Sequence, residues 1–433
     1  MTYNTIRGMR DFLPEDLAKR RFVENVIRDC FRLHGYEELE TPTVESFELV
    51  AAKAGEEIRH RMYAFNDLGG RKVAIRPEMT ASVARVVAGK LRTQIKPLRL
   101  GYLANCFRYD NPQQGRFREF WQAGFELFGS SHAEADAEII VIFHELMKRL
   151  NFTHFTIKIG HVGILRELFK AENVVETEQQ TIMNHLDKHH TNKALADLDA
   201  LHVSDNCKTI VQQLLKLHGV DLSPIVNNAQ TILEDYPAAF TALRNLEEIV
   251  RLSKAGGVTS PLLIDLGFAR ALEYYTGMIF EVFVPTLKIA LGGGGRYDQL
   301  VELLGGEPTP AVGSAPGIDR IILAMEAAEH PFPKTAPTEV LVIPVGEALI
   351  SQALEIAVPL RSQGISVQVE LMRRGLKSAL SYADKKTIPF TVIVGSEDMQ
   401  RGLVTLRDMN AQTQQRVKKA QVVEVLKTQL KTN

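Results

Sequence analysis

Residues 326–337 read EAAEHPFPKTAP, with three prolines and little apolar content. Proline lacks a backbone N–H and has a fixed φ, so a cluster this dense suits neither a helix interior nor a central strand. The chain is expected to divide there, into a unit over 1–325, a linker over 326–337 and a unit over 338–433. At 433 residues it is also longer than one ordinary core accommodates.

Hydrophobic periodicity then sorts the pieces. Phe22, Val26, Cys30 and Leu33 recur at helical spacing up to Gly35, where a helix should stop. The following YEELETPTVES reads as a strand with Pro42 at its edge, and KVAIRP, PLRLGYLANCFRY and FWQAGFELFG read as further strands of a largely antiparallel sheet. Ala133 to Leu150 is amphipathic, and FTIKIGH is another strand. Residues 165–257 carry helical patterns with little strand character, which reads as a helical insertion. Strands resume at LLIDLG and YTGMIFEVFV; the run Gly292–Gly295 reads as a tight turn, and PAVGSAPGIDRIILAME ends as a helix. Beyond the linker, strands alternate with helices, predicting a small α/β domain. That domain holds 13 Lys+Arg against 9 Asp+Glu, a net +4, although the whole chain is at −1. Such a charge suffices for a modest anion-binding face.

Several classes of function fall away. Charged residues at 24% and hydrophobic residues at 45% are ordinary globular usage, not that of a disordered or fibrous chain. Cys30, Cys106 and Cys207 are far apart and form no CxxC, which argues against a disulfide framework or structural zinc. No apolar stretch has the length of a membrane span, and MTYNTIRGMRDF is not a signal peptide, so a soluble cytoplasmic protein is expected. Neither GxxxxGK[ST] nor a Rossmann fingerprint occurs. His185, His189 and His190 share a predicted helix but lack a completing carboxylate or Cys, and His144-Glu145 lacks the second His of HExxH, so no metal site is expected. Arg373, Arg374, Lys377, Lys385 and Lys386, read alone, are solvated surface.

The segment CFRYDNPQQGRFREFWQAGFELFG says more. It predicts a hairpin with Arg108 at its base, Arg116 on its loop, and Gln122 and Glu126 on one face of the return strand. Arginines that can bind phosphate bidentately, beside an amide and a carboxylate, suit a ligand with both phosphate and cationic or imidazole groups. Taken alone, the same charges fit a solvated surface hairpin.

Three further segments shift that balance: RPEMTAS (76–82), FARALEYYTG (268–277) and PAVGSAPGIDRI (310–321). Together with the hairpin they resemble the class II aminoacyl-tRNA synthetases, and within that class the histidyl-tRNA synthetase family, over nearly the whole chain. GYEELETPTVES resembles motif 1, the dimer-interface element; FRYDNPQQGR resembles motif 2, PAVGSAPGIDR resembles motif 3, and YYTG resembles the histidine-specific element.

The resemblance implies an α+β fold: a class II antiparallel sheet flanked by helices, a helical insertion leaning on the tRNA acceptor stem, and a C-terminal α/β anticodon-binding domain. It implies an ATP-dependent ligase that makes histidyl-adenylate, then transfers histidine to the terminal ribose of tRNA(His). Mg²⁺ would accompany ATP, and a homodimer is implied. Arg108 would hold the α-phosphate and the substrate carboxylate, with Arg270 reaching the α-phosphate from the other side of the histidine subsite. Arg116 and Arg320 would neutralise the γ-phosphate and departing pyrophosphate. Glu78, Thr80 and Gln122 would grip the α-ammonium, with Met79 in the same subsite. Glu126 and Tyr275, with Tyr274 nearby, would bond the imidazole. The sequence departs from the family pattern at Ala271, Glu273 and Pro316. The competing reading is a non-catalytic paralogue serving as regulatory subunit of a histidine-biosynthesis enzyme; the four arginines and the C-terminal domain argue against it.

Overall fold

Pro42 interrupts what the sequence suggested was one strand. In the computed structural model, which describes residues 3–52, 54–270, 272–333 and 338–432, the segment becomes two short strands in two sheets. Glu37–Glu38 pairs in parallel with Leu98–Phe107, and Val44–Ser46 pairs with Lys72–Ile75. The missing N–H of Pro42 explains why neither strand continues through it.

The first of two compact units ends at Pro333. Its main sheet has, among the described residues, nine strands in the order Glu37–Glu38, Leu98–Phe107, Glu119–Phe128, Ala311–Pro316, Gly292–Arg296, Met278–Phe283, Thr156–His161, Leu262–Asp265 and His218–Gly219. From Leu98–Phe107 through Thr156–His161 every neighbouring pair is antiparallel. Helices Pro14–His34 and Ala133–Arg149 pack on the sheet, burying Val23, Ile27, Phe31, Ile139 and Phe143 with Phe125 and Phe280. The Pro14–His34 helix stops where its sequence suggests, at Gly35 with φ 70°.

The glycine run is a strand rather than a turn. Gly292–Arg296 lies in the middle of the sheet, between Met278–Phe283 and Ala311–Pro316. A Cβ on Gly295 would sit 2.8 Å from the Tyr275 ring, and one on Gly293 would sit 2.8 Å from Arg270 Nη1. Packing of side chains against bare backbone requires glycine here.

The helical block runs from Val162–Ala171 to Pro237–Ala255, and its last helix packs on Ala133–Arg149. Its one strand among the described residues, His218–Gly219, extends the main sheet. The stretch read as the start of the linker belongs to the first unit. Helix Ile318–Ala327 runs past residue 325, Lys19 pairs with Glu326 at 2.6 Å, and the Phe332 ring meets Phe22 edge-on at 6.2 Å. Residues 334–337 lie outside the described residues.

The second unit has a five-stranded sheet, among the described residues, in the order Val367–Val369, Val340–Pro344, Phe390–Val394, Leu403–Asp408 and Thr413–Lys418. The first three strands are parallel and the last two pairings antiparallel. The α+β fold class of the sequence reading is borne out: an antiparallel sheet with flanking helices, a helical insertion and a C-terminal α/β unit. Thr413–Lys418 was not foreseen, because Val417 is its single buried residue and an edge strand with one inward apolar side chain shows no alternation.

Candidate active site

A cavity of about 750 Å³ opens over the glycine strand, which supplies Gly292, Gly293 and Gly294 to its floor. Its walls gather Glu78, Thr80, Arg108, Arg116, Gln122, Arg270, Tyr274, Tyr275 and Arg320 from segments far apart in sequence. Two candidates are not on the wall. Met79 is core: its side chain is buried among apolar residues, with its sulfur 4.0 Å from the Thr41 hydroxyl. Glu126 is buried behind the wall residues Thr80 and Tyr297, which bond it.

Four guanidiniums converge at one end. Arg108 Nε donates to the Pro77 carbonyl at 2.8 Å. Arg320 donates to the carbonyls of Gly115 (3.2 Å) and Ala290 (2.9 Å), which ties it to the hairpin loop. Arg116 is exposed on that loop. Arg270 is paired with a carboxylate, Glu281, at 2.7 Å. Burial, then the charges of Arg108, Arg116 and Arg270, push the Arg320 guanidinium down to about 10. Burial acts most strongly to lower Arg270, but Glu281 together with Tyr275, Asp187 and Tyr274 holds that group above its ordinary value. The end of the cavity is therefore under-neutralised, as a polyanion subsite should be.

The other end is tyrosine and carboxylate. Glu126 accepts from Thr80 Oγ1 at 2.9 Å and from the Tyr297 hydroxyl, and it is 1% exposed. Burial pushes its carboxyl up to about 8, against the lowering effect of those two hydroxyl donors. The rings of Tyr274 and Tyr275 are 4.9 Å apart, and Tyr274 meets Tyr297 edge-on at 5.7 Å. Glu78 caps the helix Thr80–Ala88, accepting from the backbone N–H of Thr80 (2.7 Å) and Ala81 (3.0 Å). Gln122 Oε1 accepts from the Cys106 thiol at 3.5 Å.

Tyr297 and Glu281 were not among the sequence candidates, yet both line the cavity. Tyr297 follows the glycine strand directly, and the strand pairing of that run was the signal available for it. The insertion also contributes Asn184, Asp187, Lys188 and His189, and Lys188 reaches Glu57 at 3.2 Å.

The family model described as Histidyl-tRNA synthetase matches residues 8–321, and one described as Anticodon binding domain matches 339–429. The Histidine--tRNA ligase of Methanocaldococcus jannaschii is 42% identical over 405 residues, covering 93% of this chain and 94% of that one. The chain belongs to the histidyl-tRNA synthetase family. The Histidine--tRNA ligase of Pyrococcus furiosus is 41% identical over 432 residues, 99% of each chain. Among solved structures, an ATP phosphoribosyltransferase regulatory subunit/histidyl-tRNA synthetase from Bacillus halodurans has a TM-score of 0.75 and 28% identity, covering 88% of this chain and 96% of that one. The histidyl-tRNA synthetase of Nostoc sp. PCC 7120 shares the fold at a TM-score of 0.78 and 24% identity, over 99% of this chain and 100% of that one.

The departures from the family pattern fall as follows. Ala271 lies outside the described residues. Glu273 is off the cavity wall, and its charge acts on Arg166. Pro316 closes the strand Ala311–Pro316, and the next residue restores pairing through Gly317 N–H to Leu291 O at 2.8 Å.

Proposed function

We propose that the chain activates histidine with ATP and transfers it to tRNA(His). The histidine carboxylate attacks the α-phosphorus, the bond to the β,γ-unit breaks, and pyrophosphate leaves with the negative charge. The terminal ribose hydroxyl of the tRNA then attacks the acyl carbon, and AMP departs. The observation that carries this reading is the convergence of Arg320 with Arg108, Arg116 and Arg270 on one cavity wall, where Arg270 is paired with Glu281. That excess of positive charge suits a triphosphate, and fixed guanidiniums aimed at developing charge lower the barrier of an in-line displacement.

Arg108 and Arg270 take the α-phosphate from two sides, and Arg116 and Arg320 the outer phosphates. Glu78, Thr80 and Gln122 face the α-ammonium, while Tyr275 and the Glu126–Tyr297 pair serve the imidazole. Mg²⁺ enters as part of the nucleotide substrate, held by phosphate oxygens with at most a carboxylate such as Glu281. The second unit, with its excess of basic residues, takes the anticodon. The chain works in the cytoplasm as a homodimer, and the dimer is supported by exposed Val44, Phe65 and Leu68 on and beside the small three-stranded sheet.

The relative from Bacillus halodurans, whose description includes a regulatory subunit, keeps one alternative specific. Pyrophosphate–ATP exchange measured with each of the twenty amino acids separates the two. Exchange dependent on histidine alone is the expected result; none with any amino acid would favour the regulatory reading. A chain ending at Pro333, the edge of the first unit, should retain exchange and charge tRNA poorly.

A further inference from the structure

We infer that Arg10, in the segment preceding the first helix, is a positioning residue for the triphosphate, because it joins the hairpin loop to the helix that carries Arg320. The inference rests on the nucleotide reading above and deepens it. Arg116 and Arg320 come from different elements, the loop between strands Leu98–Phe107 and Glu119–Phe128 and the first turn of Ile318–Ala327. Phosphates can be gripped in one geometry only if these elements keep a fixed separation.

Arg10 touches the residue next to each of those arginines. Its guanidinium lies 3.3 Å from the centroid of the Phe117 ring, beside Arg116. Its Nη2 donates to Asp319 Oδ1 at 2.5 Å, beside Arg320. Asp319 is itself fixed, since its Oδ2 accepts from the Trp121 backbone N–H at 2.6 Å and its side chain is 7% exposed. The segment holding Arg10 is anchored in turn. The Arg118 N–H donates to Gly8 O at 3.0 Å, and Gly8 has φ +85° with the Arg118 side chain where its Cβ would be. Only glycine suits that position without strain.

Arg320 bonds the Gly115 carbonyl, so it gives the loop a second tie to the helix, one that competes with any phosphate for the same guanidinium. Arg10 supplies a tie independent of the nucleotide. It spares ATP binding the entropy of ordering an exposed loop arginine, which is how preorganisation raises affinity.

The test uses the full chain with Arg10→Ala, Arg10→Lys and Asp319→Asn. Wild-type and variant proteins are titrated with ATP, following the fluorescence of Trp121, the single tryptophan of the chain, whose backbone is bonded by Asp319. The same proteins are assayed for histidine-dependent pyrophosphate exchange. Misplacing a gripping group by about 1 Å costs up to a hundredfold, so ATP affinity and the ATP KM should weaken by about ten- to a hundredfold in Arg10→Ala. The histidine KM should move far less than the ATP KM, since Arg10 reaches the ammonium subsite only through Asp319 and the backbone of Trp121, beside Gln122. Arg10→Lys keeps the charge over Phe117 but not the planar fork, and should recover part of the loss. Asp319→Asn weakens the bridge while leaving an acceptor for Trp121 N–H, and should reproduce the selective loss if Arg10→Ala folds poorly. Unchanged ATP affinity in both Arg10→Ala and Asp319→Asn, or equal losses in the two KM values, overturns the positioning role. A wild-type chain that binds ATP but shows no histidine-dependent exchange overturns the synthetase reading instead, and the binding arm still decides the role of Arg10.

Discussion

At the arginine end of the cavity, Arg108 donates through Nε and Arg320 through Nε and Nη1 to backbone carbonyls, and Arg270 pairs with Glu281. At the tyrosine end, the buried Glu126 carboxyl is bonded by two hydroxyls, from Thr80 and Tyr297. The first arrangement stores unbalanced positive charge and depends on an anionic ligand to relieve it. The second balances a buried acid with neutral donors, and burial favours its protonated form. On the proposed assignment of these residues, affinity for a highly charged, common nucleotide and discrimination of one ring would be achieved by opposite means within one cavity.

The sharpest way to break this contrast is Arg320→Ala. Losing one preorganised charged contact to a transition state costs about 2.7–4 kcal/mol, so pyrophosphate exchange should fall roughly 100- to 1000-fold. The same change removes both a cation repelled by Arg108, Arg116 and Arg270 and the bonds to the Gly115 and Ala290 carbonyls, opposing effects that should leave the melting temperature little changed. A loss of stability matching the loss of activity would show that Arg320 is a structural arginine. At the opposite end, Glu126→Gln keeps shape but replaces an ionisable acceptor by an amide. An imidazole N–H donated to this carboxyl would favour its ionised form in the complex, so histidine activation should weaken by about 1.5–3 kcal/mol with the ATP KM nearly unchanged. Unchanged histidine kinetics would mean that other residues read the ring.

The arginine end was largely legible in the sequence, and the tyrosine end only in part, for a physical reason. Arg108, Arg116 and Arg320 sit in short segments whose residue order carries the signal, and the cavity wall holds all of them. Glu126 was foreseen through its even spacing from Gln122, but that spacing gives a face and not a depth. Its buried position depends on Gly313, whose lack of a side chain leaves room for the carboxylate, and on Tyr297. Tyr297 stayed hidden because the glycines before it look like a turn; only pairing with Met278–Phe283 and Ala311–Pro316 makes them a strand. Likewise Glu281 reads as one polar residue of an apolar strand until the fold sets Arg270 beside it. Tertiary pairing, rather than local pattern, made these residues part of the site.

Tyr297→Phe probes that hidden contact with a smaller change. It deletes one hydroxyl donor to Glu126 and keeps the ring that packs on Tyr274 and Phe128. A typical hydrogen bond contributes about 1 kcal/mol, so the histidine KM should rise roughly fivefold with the ATP KM unmoved. An effect as large as that of Glu126→Gln would mean that Tyr297 touches the substrate itself.

The smallest effect is on stability, and it isolates the Glu126 proton. An ordinary glutamate titrates near 4.5, whereas burial raises this one to about 8. Between those values the native state holds a proton that the unfolded chain releases, so stability declines as pH rises and levels off above about 8. Other buried groups act at lower pH, among them Asp136 and His161, with His144 of the same sign as His161. Asp136, raised by burial to about 6, contributes a decline of the same sign that ends there. His161, lowered by burial to about 4 from 6.5, contributes the opposite: stability gained as pH rises through that interval. Above pH 6.5 these are spent, and the slope from 6.5 to 8 belongs mainly to Glu126. One proton sets a ceiling of about 1.4 kcal/mol per pH unit, and water reaching the cavity floor should keep the real slope well below it. Trp121 lies in the first unit and is the single tryptophan, so its fluorescence in urea follows that unit alone. The wild-type urea midpoint should drift downward from pH 6.5 to 8, and Glu126→Gln, which cannot release a proton, should flatten that drift. Equal slopes in the two proteins would place the Glu126 carboxyl in contact with solvent and remove the contrast between the two ends of the cavity.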